Sequence, residues 1–191
     1  MTQTVACIII AGEGNRTNLI DEYAIPNALA AGFDEVLVVG THHAFSGGRY
    51  LHVPALTHST VDALVKRDVG TLASSSDWLF YLSDDHAVHR KGPLPDHWLD
   101  IGVPSRFCMV EGNQVLLNMG LDASDPNRPY CAGHGGLFSR KLISLFPWST
   151  QPHDRLWDLL SSRSLAAFGA RLGNQLGWRI QDMTPETRPW L

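Results

Sequence analysis

Residues 77–86, DWLFYLSDDH, join an uninterrupted apolar run to a pair of adjacent carboxylates, and this stretch decides the fold that we expect. A strand that is apolar on both faces is typical of a parallel sheet covered by helices on both sides. We therefore predict a buried strand that ends at Ser83, followed directly by Asp84, Asp85 and His86. Ligands of open α/β sheets bind at the carboxyl ends of the strands. These three residues are thus expected at a functional edge.

The sequence before this stretch contains further apolar runs that predict strands. VACIIIA (5–11) and DEVLVVG (34–40) predict two buried strands, and a shorter strand is expected at 50–53. Longer helical patterns separate these runs. Strands that alternate with helices are the signature of βαβ units, so the sequence predicts an α/β fold with a mostly parallel sheet.

Two helices are expected between these strands. The first is predicted to be kinked or ended early by Pro26 and stopped by Gly32. The second is predicted to begin with Ser59 as its N-cap. The i, i+3, i+4 spacing gives this second helix an expected inward face, which consists of Val61, Leu64, Val65, Val69 and Leu72.

The second half of the chain has a less regular pattern. The runs RFCMV and QVLLNM flank residues 111–113 and predict a hairpin with a Gly-Asn turn. A glycine-rich loop, CAGHGG (131–136), is expected to open a short helix that ends near Pro147. A last helical region is predicted at 153–176, with a final strand at 177–180.

The composition indicates one globular domain without an overall basic surface. The chain has 191 residues, 44% of them hydrophobic, and a formal net charge of -4. This size suits a single domain, 1–191, and the charge excludes a global field that would attract nucleic acid or anionic membranes. The N-terminus has no basic region, and its apolar run is far shorter than the roughly 20 residues of a membrane helix. We therefore expect a cytoplasmic protein with no membrane segment.

The acidic cluster at the end of the 77–83 strand predicts a divalent metal. Adjacent carboxylates such as Asp84 and Asp85 repel each other unless water, hydrogen bonds or a cation compensates them. Oxygen ligands suit Mg²⁺ or Mn²⁺, and the imidazole of His86 favours Mn²⁺. The alternative interpretation is that the two aspartates cap a loop or face water.

The window KRDVGTLASSSDWLFYLSDDH (66–86) resembles the donor-site stretch of GT-A glycosyltransferases, in particular the inverting, family-2-type, nucleotide-sugar-dependent enzymes. Their pattern is similar to ARNxGxxxAxGDYxxxLDDD. The matching positions are Arg67, Gly70, Ala73, Asp77, Asp84 and Asp85. The resemblance implies a three-layer α/β/α, Rossmann-like GT-A fold and a metal-dependent, hexosyltransferase-like enzyme. It also implies that Asp85 binds the metal and that Asp84 lies toward the ribose or the metal. Ser83 departs from the pattern, because many members have an aspartate there.

The resemblance also divides the chain into a nucleotide-sugar-binding half, 1–90, and an acceptor-binding half, 91–191. In the family, the loop after the first strand holds the base and ribose, and an asparagine-arginine pair often opens the next helix. Asn15 and Arg16 match that pair in sequence. This chain lacks the usual proline and tyrosine of that loop and the aspartates after the second strand, so base recognition is expected to be unorthodox. The implied donor-binding residues are Ala11, Gly12, Glu13, Arg16, Gly40, Arg67, Asp84 and Gly135.

The segment CAGHGGLFSRK (131–141) resembles the glycine-rich segment that passes beside the donor sugar in these enzymes. Its small residues let the backbone approach a ligand closely. His134 is a candidate for binding phosphate or completing the metal shell, and an exposed loop histidine is the alternative. The family places its general base at the start of a late helix, where Asp154 and Asp158 are the candidates. Either one would deprotonate the acceptor hydroxyl, which gives inversion at the anomeric carbon. Retention stays the alternative, because the same fold serves both outcomes.

Two other functions remain open from the sequence. IIIAGEGNR, IPNAL and GFDEVLVVG also resemble sugar-phosphate nucleotidyltransferases, although Asn27 stands where their lysine is expected. A non-catalytic nucleotide-sugar-binding domain is the other possibility, because a fold does not guarantee activity. The acceptor is open among a glycan, a small molecule, a protein and a modified nucleobase. The oligomeric state is not indicated.

Overall fold

The computed structural model describes residues 2–12, 19–41, 47–57, 59–90, 92–94, 100–111, 114–119, 136–150 and 157–182. Within these ranges the strands are β1 (Val5–Ile10), β2 (Glu35–Gly40), β3 (Arg49–His52), β4 (Trp78–Ser83), β5 (His86–Arg90), β6 (Ile101–Glu111), β7 (Gln114–Met119), β8 (Leu137–Ser139) and β9 (Leu172–Asp182). The α-helices are α1 (Ile25–Ala30), α2 (Ser59–Ala73), α3 (Arg140–Leu145) and α4 (Trp157–Ala167). A π-helical turn, Ile20–Ala24, leads into α1, and a 3-10 turn, Trp148–Thr150, follows α3.

The strands form one mixed sheet in the order β3-β2-β1-β4-β8-β6-β9-β5, and β7 pairs with β6. Strands β3, β2, β1 and β4 run parallel to one another, so their carboxyl ends share one edge. Strand β8 runs antiparallel to both β4 and β6, which joins the strands of the second half to this parallel core. The predicted α/β class and the parallel core of the sheet are confirmed.

The apolar strands are buried on both faces, as their composition predicts. Because side chains alternate across a strand, Cys7 and Ile9 of β1 point to one face, while Ile8 and Ile10 point to the other. The first face packs against α1 and the π-helical turn before it. The second packs against α2, α3 and α4 and includes the fully buried Trp148. These layers form the expected α/β/α arrangement.

The helix before the second strand stops just before Gly32 as expected, but it does not end early at Pro26. Pro26 lies in the first turn of α1, and the helix continues past it to Ala30. The preceding turn is π-helical and not α-helical. Gly32 follows the helix with a φ of 76°, which glycine adopts without strain.

The expected inward face of α2 is correct at Leu64, which is fully buried, and wrong at Leu72. Leu72 is 84% exposed, whereas Leu64, Arg67, Gly70 and Thr71 are buried. A Cβ at Gly70 would lie 2.5 Å from Ile8 Cγ2. The helix therefore approaches β1 at a glycine, which an apolar periodicity does not reveal.

The predicted last helix is wrong beyond residue 167. Helix α4 ends at Ala167, and Gly169, with a φ of 89°, supplies the left-handed residue that terminates it. Residues 172–176 belong to β9, which extends the predicted strand at 177–180. The hairpin of β6 and β7 is confirmed. In the described ranges no helix is long and apolar enough to cross a membrane.

Candidate functional site

The carboxyl ends of the parallel strands are joined by backbone hydrogen bonds at one edge of the sheet. Ala11 N–H, just after β1, donates to Val39 O at 2.9 Å. The N–H of Val53, which follows β3, donates to Gly40 O at 2.7 Å. Gly12 N–H donates to Asp84 Oδ2 at 2.9 Å and so connects the ends of β1 and β4. The predicted donor residues Ala11, Gly12, Gly40 and Asp84 therefore lie together.

Two of these positions require glycine for reasons of space. A Cβ at Gly12 would lie 2.9 Å from Asp84 Oδ2, closer than ordinary van der Waals contact. A Cβ at Gly40 would lie 2.5 Å from Ala11 Cβ and 2.9 Å from Ala11 O. The glycines let the two loops approach each other and the Asp84 carboxylate.

Asp85 and His86 form a close pair beside Asp84. Asp85 Oδ1 lies 2.7 Å from His86 Nδ1. An ionised carboxylate only accepts hydrogen bonds, so Nδ1 carries the proton in this pair. All three residues are buried, with 7–8% of their surface exposed. Burial of two carboxylates at one edge requires compensation of their charge.

The donor set at this edge fits a hard divalent cation that shares its ligands with a substrate. In the part of the chain that the structure describes, no three His, Cys, Asp or Glu side chains converge to enclose an ion. Mg²⁺ is commonly held by one or two carboxylates together with substrate phosphates and water. Asp84 and Asp85 supply that number of carboxylates, and ligation by His86 would use Nε2, because Nδ1 faces Asp85.

A cleft of about 560 Å³ opens beside Asp84. Its volume lies in the range of small-molecule and cofactor sites. Its walls come from the end of β1, the loop between β3 and α2, the first turn of α2, and the residue after β4. The lining residues are Ile10, Gly12, Ala55, Leu56, Thr57, Ser59, Asp62, Ala63 and Asp84.

Sequence reasoning did not identify Asp62 and Lys66, which shape this cleft. Asp62 Oδ1 accepts a hydrogen bond from Leu56 N–H at 3.0 Å, and its Oδ2 pairs with Lys66 Nζ. Lys66 is fully buried, and its Nζ also donates to Ala11 O at 2.9 Å. The signal was the Asp-Lys spacing of four residues within a predicted helix, which places both side chains on one face.

Arg67 lies in the core and not at this edge. Its guanidinium carbon is 5.9 Å from the ring centroid of Tyr81 and 5.7 Å from that of Trp148. Burial raises the pKa of the Tyr81 phenol, so the ring stays neutral beside the cation. The side chain is fully buried. Burial does not favour contact with a donor, and the predicted donor contact of Arg67 stays a prediction.

The remaining candidates cannot be placed at the site. Asp158 is the second residue of α4, and its side chain lies outside the described part. Its role as a base stays a prediction. The other candidates lie outside the described residues altogether, namely Glu13, Arg16, His134, Gly135 and Asp154.

The comparisons with known proteins give a likeness of fold alone. No sequence-family model matches this chain, and no curated protein matches it in sequence. The solved structures that resemble it include the crystal structure of GalNAc-T7 with UDP, GalNAc and Mn²⁺, with a TM-score of 0.71 at 11% identity. The match covers 95% of this chain and 44% of that chain, so the chain spans less than half the length of that protein. The chain has the GT-A type of fold found in glycosyltransferases.

Proposed function

We propose that this protein is a metal-dependent glycosyltransferase that moves a sugar from a nucleotide-sugar donor to an acceptor hydroxyl. One observation carries the proposal. Asp84 and Asp85 are both buried where β4 ends, at the carboxyl edge of the parallel strands, and Asp84 also lines the cleft of about 560 Å³. A nucleotide in the cleft and a cation at the carboxylates would thus share one wall, as the donor of a GT-A enzyme requires.

The chain's own residues hold the diphosphate end of the donor. Asp84, fixed by Gly12 N–H, and Asp85, fixed by His86, are the carboxylates that would hold Mn²⁺ or Mg²⁺. The ion, when bound, supplies Lewis-acid stabilisation of the departing nucleoside diphosphate. The glycine at position 12 keeps the backbone beside Asp84 close enough to orient its carboxylate. The solved structure of GalNAc-T7 with UDP and Mn²⁺ supports this arrangement through its similar fold.

The late part of the chain supplies the general base that activates the acceptor. We assign the general base to Asp154 or Asp158, the two late acidic residues that the family resemblance gives as candidates. The base removes the proton of the acceptor hydroxyl while that oxygen attacks the anomeric carbon, and the configuration inverts. The acceptor itself is to be found by screening.

A thermal-shift panel of nucleotide-sugars with and without Mn²⁺ tests the proposal, because a ligand that binds only the folded state raises the melting temperature. We expect one donor to stabilise the protein only when Mn²⁺ is present, and Asp85→Ala to remove that effect. The variant loses the acceptor of the His86 hydrogen bond, so its own melting temperature should fall by several degrees, and any donor-dependent shift is measured from that lower value. Asp154→Asn is expected to keep donor binding and to stop transfer.

Three results would contradict all or part of the proposal. Stabilisation of the same size in EDTA and in Mn²⁺ would remove the metal from the proposal. Release of pyrophosphate from a nucleoside triphosphate and a sugar phosphate would identify a nucleotidyltransferase instead. If the protein bound a donor but neither transferred the sugar nor slowly hydrolysed the donor under any condition, it would be a non-catalytic binding domain.

A further inference from the structure

The cleft beside Asp84 combines apolar walls with a second carboxylate. Ile10, Leu56 and Ala63 supply apolar surface, and Asp62 lines the same space from the first turn of α2. A flat ring with apolar faces and N–H groups on its edge fits this combination, because the faces pack against the walls and the edge donates to the carboxylate. A nucleobase has that chemistry.

The Asp62 carboxylate is held in a fixed position. Leu56 N–H donates to Oδ1, Lys66 Nζ pairs with Oδ2, and Lys66 also donates to Ala11 O. These contacts tie the β3–α2 loop and helix α2 to the end of β1, one residue before Gly12. The carboxylate therefore belongs to the same hydrogen-bonded edge as Asp84.

The ion pair between Asp62 and the buried Lys66 is better explained by ligand recognition than by a contribution to the stability of the fold. Apolar residues of similar volume commonly replace a buried ion pair without loss of stability, so stability alone does not require Lys66. Its charge compensates Asp62 and keeps that carboxylate from repelling the phosphates of a nucleotide in the cleft. An ionised carboxylate is an acceptor only, so it favours ligands that present N–H groups.

We propose that Asp62 is the specificity-determining residue for the nucleobase of the donor. It accepts a hydrogen bond from an N–H on the Watson–Crick edge of the base, and Lys66 is a positioning residue that orients Asp62. This inference rests on the proposed function, because the cleft must hold a nucleotide. It assigns the base-reading task to α2 in a chain that lacks the aspartates expected after β2.

Calorimetric titration of UDP, CDP, GDP and ADP in the presence of Mn²⁺ tests the inference. The tightest of the four is then compared with its analogue in which every N–H on the Watson–Crick edge is methylated. We expect the wild type to bind the analogue about tenfold or more weakly, because a site built to bond an N–H rejects a ligand that lacks it.

The paired variant Asp62→Ala with Lys66→Met removes both charges together and avoids an uncompensated buried lysine. We expect it to bind the parent nucleotide and its methylated analogue within about threefold of each other, which is under 1 kcal/mol of discrimination. Asp62→Asn keeps the size of the side chain and presents an amide in place of one oxygen, so it should lower the discrimination as well. It serves as the second variant if the paired one does not fold.

Asp21→Ala is the matched control, because Asp21 is an exposed aspartate in the first turn of the π-helical segment. We expect this variant to discriminate between the parent nucleotide and its analogue as the wild type does.

The outcomes separate this inference from the proposed function. Equal binding of the parent nucleotide and the analogue by the wild type would overturn the inference and leave the donor site intact. Unchanged discrimination in both Asp62 variants would do the same. Absence of binding of all four nucleotides to the wild type in Mn²⁺ would overturn the proposed function, and the inference with it.

Discussion

Substitution of Gly12 by alanine tests the coupling between the end of β1 and the acidic edge. The added Cβ would lie 2.9 Å from Asp84 Oδ2, so the carboxylate has to move away. That movement breaks the hydrogen bond from Gly12 N–H to Asp84 Oδ2. A hydrogen bond to a charged group contributes about 1.5–3 kcal/mol. For a chain of this length each kcal/mol corresponds to about 2–4 °C, so the melting temperature should fall by about 3–12 °C.

The same movement should weaken nucleotide binding, because Asp84 lines the cleft. If the displaced carboxylate also loses a charged contact with the bound ion or ligand, worth about 1.5–3 kcal/mol, the affinity for a nucleoside diphosphate in Mn²⁺ falls roughly tenfold to hundredfold. Calorimetric titration measures it, and differential scanning calorimetry measures the change in stability.

Gly48→Ala is the matched control for this substitution. A Cβ at Gly48 would have its nearest contact at 3.5 Å, to Val36 O, which is ordinary van der Waals distance. We expect wild-type binding from this control. Wild-type affinity and melting temperature in Gly12→Ala would refute the coupling between Gly12 and Asp84.

Three further predictions concern the core. Overpacking of Gly70→Ala against Ile8 should cost about 1–3 kcal/mol, and alanine should return about 1 kcal/mol of helix propensity, so we expect a net loss of up to about 2 kcal/mol; a higher melting temperature would contradict the close approach of α2 and β1. Burial raises the pKa of the Cys7 thiol, so the thiolate is absent in the native state at about pH 8; mass mapping should find Cys7 alkylated by iodoacetamide only after unfolding, and native labelling would argue against its burial. Asp68→Ala removes the acceptor of two backbone N–H groups in the turn that follows α3, at 2.7 Å and 2.9 Å; the melting temperature should fall by several degrees, and an unchanged value would mean that water replaces the carboxylate.

The parallel core of the sheet was predictable because its central strands, β1 and β4, are almost continuously apolar. Burial on both faces leaves a continuous pattern in β1 and β4 that a one-sided strand does not have. The phase of α2 was not predictable in this way, because its closest contact with the sheet is Gly70, a residue without a side chain. The last helix was extended too far because the helical pattern was followed past Gly169, whose positive φ ends α4.

The acidic edge was predictable from position, and part of the cleft was not. Asp84 and Asp85 follow an apolar strand directly, and the carboxyl ends of such strands are where ligands bind. Asp62 and Lys66 lie in a helix that was predicted from its apolar residues alone. The contact of their pair with the end of β1 depends on how α2 packs against that strand. That contact is tertiary and joins residues 55 positions apart. Arg67 was predicted at the site from its match to a donor-site pattern, but its side chain is buried in the core. The pattern alone does not reveal that burial.

The most direct test of the central claim is a titration of Mn²⁺ followed by the electron paramagnetic resonance signal of the free ion. With a nucleoside diphosphate present, the wild type should take up Mn²⁺ and lower the free signal, whereas Asp85→Ala should take up no more than the nucleotide alone binds. Equal uptake by the wild type and Asp85→Ala, or no uptake by the wild type beyond that of the nucleotide, would contradict a cation held at Asp84 and Asp85.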